Sequence, residues 1–244
     1  MDFLSQLDDP AIWASLFTLT AMEIVLGIDN VVFVSLVVSG LKKNIRQGAR
    51  QFGLMLAFVL RVIMLLGITW VMGLKENVFS VMGNDISWKD IILIAGGLFL
   101  IVKATQEIHT DIEGTEEEKA GPKASSYFMM AILQIAVIDL VFSIDSIVTA
   151  VGMAEHVEVM VAAVLIAMFI MYVASGAIAG FIAEHPTTKM LALSFLFMIG
   201  AALVADGLDF HIPRAYIYFA IAFSGAVEFF NIMAKRRRMR NRSS

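Results

Sequence analysis

Long apolar segments dominate this chain and restrict what it can fold into. Hydrophobic residues make up 59% of its 244 residues and charged residues only 16%, against about 25% charged residues in soluble domains. A helix needs about 20 mostly apolar residues to cross the hydrocarbon core of a bilayer. Segments that meet this requirement lie at 13–38, 51–73, 90–108, 127–151, 158–182, 187–206 and 213–234. The sequence therefore predicts an all-α, polytopic membrane protein with seven transmembrane helices.

The distribution of basic residues predicts how these helices are oriented. The connection between the first two segments carries Lys42, Lys43, Arg46 and Arg50 and no acid, and the tail at 235–242 is strongly basic. Basic residues concentrate on the cytoplasmic side of membrane proteins. We therefore expect the N-terminus outside and the C-terminus in the cytoplasm. Because the basic tail directly follows an apolar segment, a membrane anchor is a better interpretation than a nucleic-acid patch, and no nucleic-acid partner is expected.

The first and fourth apolar segments contain the same acidic pattern. One reads Glu23-Ile-Val-Leu-Gly-Ile-Asp29-Asn30, and the other reads Asp139-Leu-Val-Phe-Ser-Ile-Asp145-Ser146. Each carboxylate at the centre of a membrane helix costs about 2.5–3.5 kcal/mol on insertion scales, so the four acids need compensation. Carboxylate, amide and hydroxyl oxygens are the ligands of hard divalent cations such as Mg²⁺, Ca²⁺ or Mn²⁺. The predicted metal ligands are Glu23, Asp29, Asn30, Asp139, Asp145 and Ser146.

The paired motifs divide the chain into two halves. Ala95-Gly96-Gly97-Leu98 in the third segment also resembles Ile199-Gly200-Ala201-Ala202 in the sixth. Segments one to three and four to six are therefore predicted to form a 3+3 repeat, with one helix appended. Three spans per repeat make the second repeat inverted, and inverted repeats build transporters whose site lies at their interface near mid-membrane. The predicted parts are a first repeat at 1–108, an acidic cytoplasmic linker at 109–126, an inverted second repeat at 127–209, and a seventh helix with its tail at 210–244.

Inversion also predicts the depth of the acids in the membrane. The first acid of each motif should lie level with the second acid of the other motif. In a regular helix, residues six apart are separated by about 9 Å along the axis and point to different faces. Local helix breaks at Gly27 and Ser143 would bring the acids of one helix together and free backbone carbonyl oxygens as further ligands. The sequence leaves open whether the helices break there.

Two basic residues provide another way to compensate the acids. Arg61 lies in the middle of the second segment and Lys103 in the third, and both could form structural ion pairs with the motif carboxylates. Two cations against four acids would still leave a negative site. We therefore assign both as support for the site, with Arg61 bracing it or competing with the ion. Lys103 could instead reach the inner membrane interface.

Several residue types argue against other kinds of site. The chain has no cysteine, and its four histidines fall at predicted helix ends, so a zinc or copper site is not expected. It contains no His-Glu-x-x-His, no Gly-x-Ser-x-Gly and no glycine-rich phosphate loop. We therefore expect no enzymatic activity and no bound cofactor. The acidic linker could be a solvated tether or a cation-sensing segment.

The motifs resemble those of the TerC family of integral membrane proteins. Further similar stretches are Gly96-Gly97-Leu98-Phe99-Leu100 with Lys103 and Glu107, His185-Pro186 with Lys189-Met190-Leu191-Ala192-Leu193-Ser194-Phe195, and Tyr216-Ile217-Tyr218-Phe219-Ala220. The resemblance extends from about residue 10 to residue 234 and is strongest to the short bacterial inner-membrane branch. It implies a metal-ion efflux protein, with Mn²⁺ as the transported ion, in the superfamily of the lysine exporters.

Other functions stay open on the sequence alone. A non-transporting membrane subunit could support metalation of exported proteins or bind a partner through the acidic linker. A small-molecule exporter of the lysine type would need a group to bind the substrate carboxylate, and Arg61 is the strongest candidate near mid-membrane. The expected partners are a divalent cation and the lipid bilayer, and a homo-oligomer is compatible with the sequence.

Overall fold

Helices account for almost all of the described structure. The structure is a computed structural model that describes residues 9–39, 41–81, 84–113, 124–151 and 157–242. Within these residues the helices are α1 (Pro10–Ser39), α2 (Lys43–Leu66), α3 (Ile68–Gly73), α4 (Trp88–Glu113), α5 (Ala124–Val151), α6 (Val157–Glu184), α7 (Pro186–Gly207) and α8 (Arg214–Arg242). A short hairpin of β1 (Asn77–Val81) and β2 (Asn84–Ser87) separates α3 from α4.

The long helices have the length and composition of membrane spans. Six candidate spans lie within the described residues, at Pro10–Ser39, Asn44–Leu66, Trp88–Glu113, Glu158–Glu184, Pro186–Gly207 and Arg214–Lys235. Helix α5 adds a shorter apolar section, Phe128–Ile144. Large apolar side chains such as Phe17, Phe169 and Phe219 are exposed on the outer faces of the helices, as expected where lipid replaces water. The predicted all-α, polytopic membrane fold is confirmed.

The predicted boundaries of the second span were wrong. Helix α2 begins at Lys43 rather than near residue 51 and ends at Leu66, and the short helix α3 follows after Gly67. Arg46 and Arg50 therefore lie on the first turns of a helix and not in a loop. Lysine and arginine have high helix propensity, so a basic stretch does not end a helix. For the same reason α8 continues through the basic tail to Arg242.

A reciprocal cap starts α4 directly after the hairpin. The hairpin itself had not been predicted. Strands β1 and β2 pair antiparallel. The Oγ and the backbone N–H of Ser87 donate to Asp90 Oδ2 at 2.6 and 2.8 Å, and the N–H of Asp90 donates to Ser87 Oγ at 3.3 Å. This is the arrangement of a capping box, which satisfies backbone donors at a helix N-terminus.

The helix pairs follow the symmetry of the predicted repeat. The most extensive packing joins α4 to α7, α1 to α6 and α2 to α5, and α1 also packs against α5. Exchanging α1 for α5, α2 for α6 and α4 for α7 reproduces this same set of pairs. Two related three-helix units predict such a pattern. The division of the chain into domains remains a prediction.

Buried apolar side chains form two clusters that share helices. One cluster includes Phe33, Leu100 and Leu193, and the other includes Leu65 and Ile147. Helices α1 and α5 contribute to both clusters. These are also the two helices that carry the acidic motifs, so the fold places the motifs inside the protein.

Helices α4 and α7 come into backbone contact at a pair of glycines. A Cβ atom on Gly97 would lie 2.5 Å from the carbonyl oxygen of Gly200, and a Cβ on Gly200 would lie 2.8 Å from the carbonyl oxygen of Gly97. Small residues allow membrane helices to approach this closely. The stretches matched between the two halves of the sequence therefore contact each other at this crossing.

Candidate cation site

Arg61 of α2 lies at the centre of a buried polar cluster. Its side chain is 2% exposed, and it donates from Nη1 to Glu23 Oε2 at 3.1 Å and from Nη2 to Asp139 Oδ1 at 3.2 Å. Its Nε donates to Ser143 Oγ at 2.9 Å. A guanidinium presents its donors in a planar, rigid arrangement. One side chain therefore joins α1, α2 and α5 and contacts two of the predicted metal ligands.

Asp139 is the most heavily hydrogen-bonded acid of this cluster. Its Oδ1 accepts from Arg61 and also from Asn30 Nδ2 at 3.1 Å, while its Oδ2 accepts from Ser143 Oγ at 3.2 Å. Ser146 lies one turn beyond Ser143 and donates from Oγ to the Ser143 carbonyl at 3.3 Å. Four of the predicted ligands, Glu23, Asn30, Asp139 and Ser146, are thus buried on α1 and α5.

Helical spacing explains which motif residues meet. Residues seven apart lie on the same face of a helix, about 10.5 Å apart along its axis. Glu23 and Asn30 have this spacing on α1, and Asp139 and Ser146 have it on α5. Ser143, four residues after Asp139, shares their face. From the sequence, Ser143 was considered only as the position of a possible helix break, although its spacing from Asp139 already indicated a place in the site.

Helix breaks at Gly27 and Ser143, which the sequence left open, do not occur. Helices α1 and α5 are helical through both positions. Gly27 instead makes room for α6, because a Cβ atom there would collide with the sulfur of Met171. The hydroxyl of Ser143 bonds to the side chains of Asp139 and Arg61. Because neither position interrupts its helix, no backbone carbonyl ligands arise there.

The second acid of each motif falls outside the described side chains. The backbones of Asp29 and Asp145 belong to α1 and α5, but their side chains are not among those that the structure describes. Their roles as ligands and the predicted depth pairing of the four acids stay predictions.

Lys103, the other residue assigned to support the site, has a different partner. Its Nζ pairs with Glu107 Oε1 at 2.8 Å, one turn further along α4, and both side chains are partly exposed. The four-residue spacing on one helix favours this local pair. Of these two basic residues, only Arg61 contacts motif carboxylates in the described part of the chain.

The cluster retains a negative charge and an unused oxygen. Glu23 and Asp139 together carry two formal negative charges, and Arg61 supplies one positive charge. Because Asn30 directs its Nδ2 at Asp139, its Oδ1 faces away, and this buried atom has no hydrogen-bond partner within the described part of the chain. A buried acceptor left unpaired costs about 1–3 kcal/mol. The described residues contain no group of three or more His, Cys, Asp or Glu side chains that could hold a metal, so an ion here needs further oxygen ligands.

Comparison with known proteins gives the chain a family. Residues 8–243 match the Integral membrane protein TerC family. The chain belongs to this family. Among its TerC relatives, the UPF0053 inner membrane protein YgdQ of Escherichia coli K12 is 48% identical over 229 residues, which cover 94% of this chain and 96% of YgdQ. A UPF0053 protein of Haemophilus influenzae is 46% identical over 228 residues, covering 93% of this chain and 96% of that protein.

A longer relative matches the whole chain with less than half of its own length. The UPF0053 inner membrane protein YoaE of Escherichia coli K12 is 45% identical over 244 residues, which cover 100% of this chain and 46% of YoaE. No solved structure matches the chain. The TerC match and the apolar helices describe a multi-pass membrane protein of transporter type. The names of YgdQ and YoaE place those two proteins in the inner membrane, and none of the three names states a substrate.

Proposed function

We propose that this TerC protein exports a divalent metal cation, Mn²⁺, from the cytoplasm through the cluster around Arg61. The observation that carries the proposal is the excess formal negative charge of that cluster beside Asn30 Oδ1, which has no hydrogen-bond partner among the described residues. Buried charge within a membrane is costly unless it is compensated, and such residues mark ion pathways. A cationic substrate supplies both the missing positive charge and a partner for the amide oxygen.

The donor set of the proposed site contains oxygen atoms only. Glu23 and Asp139 provide carboxylates, and Asn30 and Ser146 provide neutral oxygens, to which Asp29 and Asp145 would add. Oxygen ligands suit Mg²⁺, Ca²⁺ and Mn²⁺, and the choice of Mn²⁺ rests on the family resemblance. In this proposal the ion and the Arg61 guanidinium compete for the same carboxylates, so that Arg61 neutralises the site between transport events.

The contacts of Arg61 argue against a lysine-type exporter. A substrate carboxylate would have to replace the bonds from Arg61 to Glu23, Asp139 and Ser143. It would also approach a cluster that is already negative. The accessory role depends on the acidic linker, of which residues 114–123 lie outside the described residues, so no contact of that segment supports it.

Mn²⁺ flux in proteoliposomes tests the proposal. We expect the purified chain to move Mn²⁺ under an imposed pH gradient faster than it moves Ca²⁺ or Mg²⁺. Asp29→Asn, Asp145→Asn and Asn30→Ala should each lower the Mn²⁺ flux by roughly tenfold or more, since even the hydrogen-bond partners of metal ligands typically contribute factors of this size. Glu107→Gln is the matched control, because it changes a carboxylate to an amide outside the cluster.

Two results would count against the export proposal. Flux no higher than in empty liposomes, for every divalent ion tried, would favour the accessory role. Flux kept in all three variants would show that these motif residues are structural and that the ion path lies elsewhere.

A further inference from the structure

A groove open to the lipid side lies between α2 and α6. Its volume is about 420 Å³. Leu54 and Phe58 line it from α2, and Leu165, Phe169 and Tyr172 line it from α6. Phe169 is 68% exposed and Leu165 is 41% exposed. The groove is therefore an accessible apolar surface that runs over about two turns of α6.

A guanidinium lies at one end of this groove. Arg50 precedes Leu54 by one turn on α2, and Gly176 follows Tyr172 by one turn on α6. The Nη2 atom of Arg50 is 3.3 Å from the position that a Cβ atom on Gly176 would occupy. Since Gly176 has no side chain, the guanidinium can lie across α6 just beyond the apolar lining.

The Arg50 guanidinium has an unused donor in this position. Its Nε is buried and has no hydrogen-bond partner among the described residues. Arg46, one turn earlier, differs, because its Nε donates to the Leu41 carbonyl at 2.5 Å. The stretch at 39–50, which includes the start of α2, contains no acid that could pair with Arg50. A buried cationic donor without an acceptor is costly, and an anion stabilises it by charge-assisted hydrogen bonds.

We propose that the groove binds one anionic phospholipid, with its headgroup phosphate on Arg50 and an acyl chain along the apolar lining. Phosphate matches the planar donor arrangement of a guanidinium, and basic pockets between membrane helices on the cytoplasmic side bind anionic headgroups. Arg46 precedes Arg50 by one turn on α2 and favours negative over zwitterionic lipids. A free phosphate ion would use the guanidinium but would leave the groove empty, so the combination indicates a lipid. In the orientation proposed above, this lipid belongs to the cytoplasmic leaflet.

Native mass spectrometry of the full chain with added lipids tests this site independently of transport. We expect one phosphatidylglycerol molecule to be retained in preference to phosphatidylethanolamine. Arg50→Gln should weaken retention by about tenfold, the factor expected when one charge-assisted hydrogen bond is lost. Lys42→Gln is the matched control, since it removes the same charge from an exposed residue of the same segment and should leave retention nearly unchanged. Leu165→Trp alters no charge but fills the groove at an exposed position, and it should also weaken retention.

Each alternative occupant has a distinct result. Equal losses in Arg50→Gln and Lys42→Gln would show diffuse attraction to the basic end of α2 and would overturn a specific site. Displacement of phosphatidylglycerol by inorganic phosphate alone, or retention unchanged in Leu165→Trp, would show that no acyl chain occupies the groove. A dimer that Leu165→Trp disrupts would instead assign the groove to a second copy of the chain.

Discussion

At the scale of single residues, the site depends on Arg61 and on two carboxylates from other helices. The acidic motifs and the position of Arg61 near mid-membrane were visible in the sequence. The hydrogen bonds of Ser143 were not visible, nor was the Asn30 Oδ1 atom that lacks a partner among the described residues. The sequence left open whether the helices break at Gly27 and Ser143, and breaks there would have placed other residues together. Continuous helices bring together residues four and seven apart, and this periodicity selects Asn30 and Ser143 as partners of Asp139.

Removal of the Arg61 charge should destabilise the protein strongly. Arg61→Gln leaves Glu23 and Asp139 without their cation, and breaking a buried ion pair in this way costs roughly 3–5 kcal/mol. Thermal unfolding of the purified protein in detergent should show a large fall in midpoint, and adding Glu23→Gln should restore part of it. Lys103→Gln, which removes a cation from a partly exposed pair, should change the midpoint little. An unchanged midpoint in Arg61→Gln would contradict a structural role for the pairs.

At the scale of helices, the contact between α4 and α7 shows what a repeat comparison can and cannot predict. The matched glycine stretches identified the two helices that correspond in the halves of the chain. They did not show that Gly97 and Gly200 touch, since a shared pattern does not fix the distance between two helices. The β1–β2 hairpin was missed for a related reason, because its strands are short and lie between two long apolar segments that dominate the pattern.

Alanine substitution at the glycine contact should force α4 and α7 apart. Gly97→Ala places a methyl group 2.5 Å from the Gly200 carbonyl oxygen, and overpacking of this kind typically costs about 1–3 kcal/mol. The unfolding midpoint in detergent should fall. Gly180→Ala on α6 is the control, since a Cβ atom there meets no described atom within 4 Å and alanine favours helix by about 1 kcal/mol over glycine. Equal effects of the two substitutions would mean that the helices are not in backbone contact.

At the scale of the whole molecule, hydropathy and length predicted the fold class because each span must satisfy its own backbone hydrogen bonds inside the membrane. The exact helix ends were less predictable, as α2 shows, because charged residues continue a helix as well as apolar ones do. Orientation follows from a different quantity, the distribution of basic residues. It therefore stays a prediction that the helix packing does not test.

The absence of cysteine makes the proposed orientation directly measurable. Two single-cysteine variants provide the test, Phe210→Cys between α7 and α8 and Glu184→Cys at the end of α6. Both residues are exposed. A membrane-impermeant maleimide should label the cysteine at 210 in intact cells and the cysteine at 184 only after permeabilisation. The reverse pattern would place the C-terminus outside and would contradict the predicted orientation.

Continuous helices at Gly27 and Ser143 affect the hydration of any ion that binds near Arg61. Carbonyl oxygens inside a regular helix are already engaged by the helix itself, so protein ligands there must come from side chains. Divalent ions such as Ca²⁺ take about six to eight oxygen ligands, whereas the buried predicted ligands Glu23, Asn30, Asp139 and Ser146 provide four when each binds through one oxygen atom. Water would complete the shell, and the ion would cross the midplane only partly dehydrated. The translocation path would therefore have to be wide enough for an ion with its remaining water molecules, and helix rearrangement would serve to admit water as much as to admit the ion.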